Sequence, residues 1–565
     1  MSTAPTLSPA TCEPADAARL EELHRRVQTG EQVPLDHIAS LTRSSDPVVR
    51  GLAKRLLSHV LVAQARRSAA QLLWEACDDL DYRVPQVLRE AADHADALGR
   101  DSLYELHLRA GEAAARRGDI VQALVQLLNA ASTDMRHGAQ RVNEPACVRR
   151  MMGLYESAAG KAASKLDVHP AARRVRRSPA SSRLRLAHVT CQLVDGGHAP
   201  SRSLEMQLKF ADRERFDLVL FVTEALAPHV EHTGQTFASP PSSQRAPRRI
   251  AEFERDLGVP VVLPRHRRSC LTAAAELHAE MVRRRIDVAF FHGSLATPSD
   301  WLLCAWQAAP WQFDQGFGVP LHCPAVDYQF FEFEPTMQKL AFWCRERGIP
   351  YGPTSGGHDG TDVELAAPFA RDELAIPANH VVLGTIGNHL PTRMSAAFCR
   401  TVARVLRANA ETTFLAVGPG DFSAQRAVFG DLCDGARPRV RFPGSSSEPA
   451  RFTKTFDVFL NPYPGGGGFV IGDAMAARKP VVCMQVGESS PALAGAGWVG
   501  AEHLVTPPTD EAYAARLERL VRDPAERARL GTSLRRRYEQ VFEPRRWVTS
   551  MTDRIWELVT AQARS

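Results

Sequence analysis

The chain lacks the marks of a metal or disulfide protein. Its eleven cysteines are scattered over 565 residues, with no C-x-x-C pair and no close Cys/His cluster. Zinc and iron–sulfur centres need such clusters, and a secreted disulfide framework needs paired spacings. Reduced thiols are the expectation. No apolar run is long enough to span a bilayer. The first residues, Met1-Ser-Thr-Ala-Pro5, lack the basic-then-apolar layout of a signal peptide, so the cytoplasm is the expected location. Charge of one sign is also scarce. Lys and Arg number 69 against 64 Asp and Glu, a net charge of +5. So mild a balance does not suggest a nucleic-acid partner. No Asp-x-Asp metal motif stands at a strand end, so no metal is expected.

What is present is ordinary for a globular protein: 44% hydrophobic and 24% charged residues. The length suits about three or four domains. Residues 1–170 read as helical. Leu20, Leu23, Val27, Leu103, Leu106 and Leu108 fall on helical spacing, and alanine is abundant. The stretch Ala110 to Ala131, with a Gly118-Asp119 turn, has the small-residue pattern of a tetratricopeptide-type helix pair. No second copy follows at a fixed period, so a long solenoid is not expected. Residues 171–182 read as a linker rich in arginine and serine.

Strands and helices alternate after it. Arg183–Thr190, Phe216–Thr223, Val259–Leu263 and Ile286–Phe291 are strand candidates of one series. Val381–Gly387, a strand from Thr413, Val440-Arg-Phe442, Val458-Phe-Leu460 and Val481–Met484 form a second. This rhythm predicts two doubly wound α/β domains, at 183–370 and 371–565, facing a cleft. Trp311 and Phe313 read as core packing.

The strongest local signal is Gly465-Gly466-Gly467-Gly468, between the strand candidate ending at Leu460 and a helix that carries Asp473. Glycines let backbone N–H groups approach a ligand, and a helix N-terminus adds free donors and a positive dipole end. The loop is expected to hold a diphosphate, with Asp473 on a ribose hydroxyl. The bland alternative is a tight turn with no ligand. Asn388, His389 and Arg393 follow the first strand of the second series, where the Arg393 guanidinium could pair with the same diphosphate. His198, in Asp195-Gly-Gly-His198, follows the first strand of the first series, and His292 ends another. Either could take a proton near neutral pH, and both are expected at the cleft mouth. A turn histidine is the plain alternative for His198. Gly316 and Gly318 could bring backbone close to a sugar or phosphate.

These motifs, over residues 183–560, resemble glycosyltransferase family 41, the O-GlcNAc transferases and the bacterial cytoplasmic adhesin N-glycosyltransferases. Leu460-Asn-Pro-Tyr-Pro-Gly465, then Asp473 and Pro480-Val-Val-Cys483, is similar to the N-glycosyltransferases. Gly196-Gly-His198-Ala-Pro-Ser201 resembles the O-GlcNAc transferase loop whose histidine has been considered a catalytic base. Ala309-Pro-Trp-Gln312 and Val326-Asp-Tyr328 follow the same pattern. Thr385 to Arg393 resembles that family's nucleotide segment, with Arg393 or Thr392 where a lysine meets the diphosphate. The chain departs from the family in having Gly467, Gly468, Phe469 and Val470 where Thr or Asn side chains are usual.

The resemblance implies a GT-B fold behind an all-helical N-terminal domain. It implies an inverting, metal-independent transferase with a UDP-sugar as donor substrate and no cofactor. A hexose or N-acetylhexosamine would pass to a polypeptide Asn or Ser/Thr side chain. His198 or His292 would handle the acceptor. Two alternatives stay open: a GT-B enzyme acting on a glycan, lipid or small molecule, and a non-catalytic helical scaffold with a degenerate transferase module. The retaining bacterial glycosyltransferases share the second acid at Asp473, but Gly465 stands where they carry the first.

Overall fold

The computed structural model describes residues 14–29, 31–62, 65–99, 101–136, 140–168, 183–191, 193, 199–223, 242–266, 269–295, 297–316, 319–354, 356–435 and 437–561. It divides into two compact units, Met1–Ala130 and Ala131–Ser565.

The first unit is helical. Its helices pack through apolar stripes such as Leu20, Leu23, Ile38, Leu56 and Leu57, and separately Leu73, Leu80, Leu88 and Leu106. The Gly118-Asp119 turn joins helices Ser102–Arg116 and Ile120–Arg136. A Cβ at Gly111 would lie 3.4 Å from the Ala123 carbonyl, so a small residue is what lets this pair close up.

Helix α1 (Pro145–Leu166) belongs to the second unit. There Tyr155 Oη donates to the Leu295 carbonyl at 2.5 Å, and Trp306 Nε1 donates to the Ala159 carbonyl at 3.2 Å. The expected linker at 171–182 lies outside the described residues.

Two parallel sheets follow. The first holds β1 (Leu184–Thr190), β2 (Phe216–Val222), β3 (Val261–Val262), β4 (Val288–Phe291), β5 (Trp311–Asp314), β6 (Tyr328–Phe331) and β7 (Tyr351–Pro353), in the order β3-β2-β1-β4-β5-β6-β7. The second holds β8 (Val381–Ile386), β9 (Thr412–Val417), β10 (Val440–Gly444), β11 (Val458–Leu460) and β12 (Val481–Val482), in the order β10-β9-β8-β11-β12. Every pairing is parallel. Central strands are buried almost throughout, as parallel strands covered on both faces must be. Strand order reverses between β1 and β4, and again between β8 and β11. Ligands in such sheets bind beyond the carboxyl ends of the strands at these reversals.

Helices α2 (Ala199–Phe210), α3 (Leu390–Arg393), α4 (Phe469–Ala476), α5 (Pro524–Val541) and α6 (Pro544–Ala561) matter for the site. The buried face of α6, with Trp547, Val548, Met551 and Ile555, joins the core of the first sheet. The C-terminal helix thus returns to the first half, although the sequence places it in a domain with the second series. Phe469 packs against both cores.

Candidate functional site at the strand-order reversals

At the second reversal, Gly387 donates its N–H to the Val417 carbonyl at 3.0 Å and ends β8. Asn388 is exposed. His389 is half-buried at the start of α3, where its carbonyl accepts the Thr392 and Arg393 N–H groups at 3.2 and 3.1 Å. This turn aims Arg393 at the glycine loop. Its Nη1 donates to the Gly466 carbonyl at 2.5 Å. Its Nε is enclosed with no partner, while part of the side chain still reaches the surface. Among the described residues no carboxylate pairs with it. Burial pulls its pKa down to about 10. A cation held without a counter-charge is costly, and an anionic ligand would relieve it.

Asn461 shapes the loop itself. Its Nδ2 donates to the Leu493 carbonyl at 2.9 Å, and its Oδ1 accepts the Gly467 N–H at 3.1 Å. The Gly466 N–H donates to the same Leu493 carbonyl at 3.0 Å. A Cβ at Gly466 would collide with the Asn461 amide, and one at Gly468 would lie 2.9 Å from Trp498 Nε1. The glycines are therefore required by close packing. Gly465 is buried at the loop's start. The N–H groups of Gly466 and Gly467 are thus already bonded, to Leu493 and Asn461, and are not free for a ligand. The N–H groups of Gly468, Phe469 and Val470, at the start of α4, have no partner among the described residues. Those donors and Arg393 border the same loop, since a Cβ at Gly467 would lie 3.8 Å from Arg393 Nη1.

Asp473 lies one turn further along α4. Its carboxylate is already engaged. Arg202 on α2 gives it two hydrogen bonds, Nη1 to Oδ2 and Nη2 to Oδ1, both at 3.2 Å. His358 Nε2 lies 3.2 Å from Oδ1. Burial alone would raise the Asp473 pKa, but the Arg202 charge and His358 outweigh it and hold the group at about 2. The His358 ring lies against Gly472, where a Cβ would come within 2.8 Å of it, and its Nδ1 is 3.2 Å from Tyr538 Oη on α5. Neither Arg202 nor His358 was legible as a partner of Asp473. Arg202 is 271 positions away, and no spacing rule spans that distance.

At the first reversal, His198 lies outside the described residues. His292 follows β4, but it does not open onto a cleft. It is 1% exposed, and its Nε2 is 2.9 Å from His188 Nδ1 in β1. Burial holds both rings neutral: His188 is pushed down to about 3, and His292 falls well below its usual range. This corrects the expected orientation. The residue ends a central strand whose side chain turns into the core. Nearby, Asp300 accepts a 2.6 Å hydrogen bond from Thr223 Oγ1, and burial raises its pKa to about 7. Trp311 and Phe313 are core residues of β5, as the sequence suggests. A Cβ at Gly316 would meet the Val319 and Pro320 backbone, so that glycine serves a tight turn; Gly318 lies outside the described residues. Among the described residues no helix is long and apolar enough to cross a membrane.

Comparison with known proteins bears on this geometry. The family described as Glycosyl transferases group 1 matches residues 380–523, the stretch with β8, Arg393, the glycine loop and Asp473. No curated protein matches the chain. Among solved structures, a point mutant of Thermobaculum terrenum O-GlcNAc transferase is similar at TM-score 0.53 and 18% identity, covering 98% of this chain and 100% of its own. A Rickettsia africae glycosyltransferase reaches 0.48 at 11% identity, covering 67% and 99%. The α,α-trehalose 6-phosphate synthase of Burkholderia multivorans reaches 0.48 at 13%, covering 68% and 100%. With two parallel sheets, a helical N-terminal region and the matched domain, the protein is a glycosyltransferase of GT-B fold.

Proposed function

We propose that the protein moves a hexose or N-acetylhexosamine from a UDP-sugar to a polypeptide Asn or Ser/Thr side chain, with inversion and without a metal ion. One observation carries the donor reading. Arg393, a cation with no carboxylate partner among the described residues, borders the same loop as three free N–H groups at the start of α4. Such a pairing suits a diphosphate. As the bond to the sugar breaks, negative charge grows on the leaving diphosphate. Arg393 and the Gly468, Phe469 and Val470 N–H groups would meet it without rearrangement. Asp473 would take the ribose hydroxyls. An N-acetylhexosamine donor is favoured by the full-length likeness to an O-GlcNAc transferase. The polypeptide acceptor, its handling by His198 and membership of family 41 rest on the sequence resemblance.

Calorimetric titration of UDP in the presence of EDTA tests the donor site. UDP is expected to bind, and more tightly than uridine. A strict need for a divalent ion would overturn the metal-free site, and equal affinity for uridine would remove the diphosphate contact.

A further inference from the structure

Arg202 is set on the first turn of α2, the helix that follows His198 in the sequence, yet its guanidinium is committed to the other half of the unit. Besides its two bonds to Asp473, Nη2 donates to the Asp359 carbonyl at 2.8 Å. The guanidinium also lies 5.2 Å from the centre of the Phe469 ring, beside the start of α4. Asp473 Oδ1 faces both Arg202 and His358, so the carboxylate a ribose would need is occupied. The two Arg202–Asp473 bonds are long for a charge-assisted pair, and the Arg202 side chain is 22% exposed. That makes the pair exchangeable.

We propose that Arg202 is a latch. Without nucleotide it holds Asp473 and ties α2 to α4; the ribose diol of the donor takes its place on that carboxylate and releases α2. On release the guanidinium also leaves the Asp359 carbonyl and the Phe469 face, its other ties to that half. Donor occupancy is thereby coupled to α2, the helix that follows His198 in the sequence. The latch rests on the reading that Asp473 receives the ribose, so its test must separate the two.

The probes are UDP and 2′,3′-dideoxy-UDP, which differ only in the ribose hydroxyls, titrated into the wild type, Arg202→Met and Asp473→Asn. If Asp473 receives the ribose, Asp473→Asn lowers the preference for UDP over its dideoxy analogue. If Arg202 competes for that carboxylate, Arg202→Met raises the preference by about fivefold, the scale of a partly exposed ion pair. Contacts to the diphosphate cancel in this ratio. A preference that Asp473→Asn lowers but Arg202→Met leaves unchanged overturns the latch and keeps the ribose reading. No preference in any of the three proteins overturns both. Hydrogen exchange on the wild type needs no variant to fold: UDP should speed exchange over Ala199–Phe210 more than the dideoxy analogue does. Equal effects of the two ligands contradict release of α2.

Discussion

Replacing Arg393 by methionine should improve the empty protein and impair the liganded one. A fall in its pKa from 12.5 to about 10 corresponds to a folded-state penalty of about 3 kcal/mol on the charged form. Partial exposure screens that figure, and the substitution also gives up the bond to the Gly466 carbonyl, a loss of about 1 kcal/mol. A net gain of about 1 kcal/mol in ligand-free stability near pH 7 is left. UDP binding should weaken by about 1.5–3 kcal/mol, the worth of a hydrogen bond to a charged group, which is about 10- to 150-fold. Uridine, lacking the diphosphate, should bind within about twofold of the wild type. Denaturant unfolding supplies the first quantity and calorimetry the other two. Equal losses for UDP and uridine would refute the diphosphate role. A variant less stable than the wild type would refute the claim that the guanidinium stands uncompensated.

Asp473→Asn should destabilise the protein at pH 7. The sign follows from the lowered folded pKa: the carboxylate's contribution is complete above its usual value near 3.8 and is lost as pH falls towards 2. The cost of the substitution should therefore shrink over that window in denaturant midpoints. Gly466→Ala should push Asn461 aside and lower both stability and UDP affinity. Gly467→Ala meets one Val470 methyl at 2.8 Å, where Gly466→Ala meets Asn461 more closely and Pro462 besides, so it should cost less stability while still crowding the approach to Arg393; equal costs would contradict the packing account. His292→Ala should act first on stability, by about 2–4 kcal/mol from the lost packing and the broken His188 bond. Both histidines are held neutral when folded, so the wild type should lose stability as pH falls below about 6.5, where the unfolded chain takes up protons. A flatter pH dependence in His188→Ala would support this, and an unchanged one would contradict it.

The two α/β series were legible because their apolar runs are long or sharply bounded. Val381–Ile386 and Phe216–Val222 read directly as strands. β5, β6 and β7 did not, for Gln, Asp, Gly and Pro interrupt their apolar runs. Strand order is a tertiary property, yet it explains the outcome. Asn388, His389 and Arg393 follow β8, the four glycines and Asp473 follow β11, and these two strands flank one reversal, where Arg393 reaches the glycine loop. The glycine loop's composition was readable, but the use of its amides was not. That depends on Asn461 and Leu493, which only the fold brings beside it. Arg202 escaped for the same reason. His292 was misjudged because a residue at a strand end can turn inward or outward, and its partner His188 lies on another strand.

The central claim is sugar transfer from a uridine nucleotide to a polypeptide. Its most direct test is the purified full chain, incubated with a panel of sugar nucleotides and a peptide library in EDTA, and read by intact mass. The account predicts addition of one hexose or N-acetylhexosamine from a UDP-sugar to a peptide containing Asn, Ser or Thr, greatly reduced in Arg393→Met. Binding of UDP with no transfer to any peptide, or transfer only from a nucleotide of another base, would contradict it.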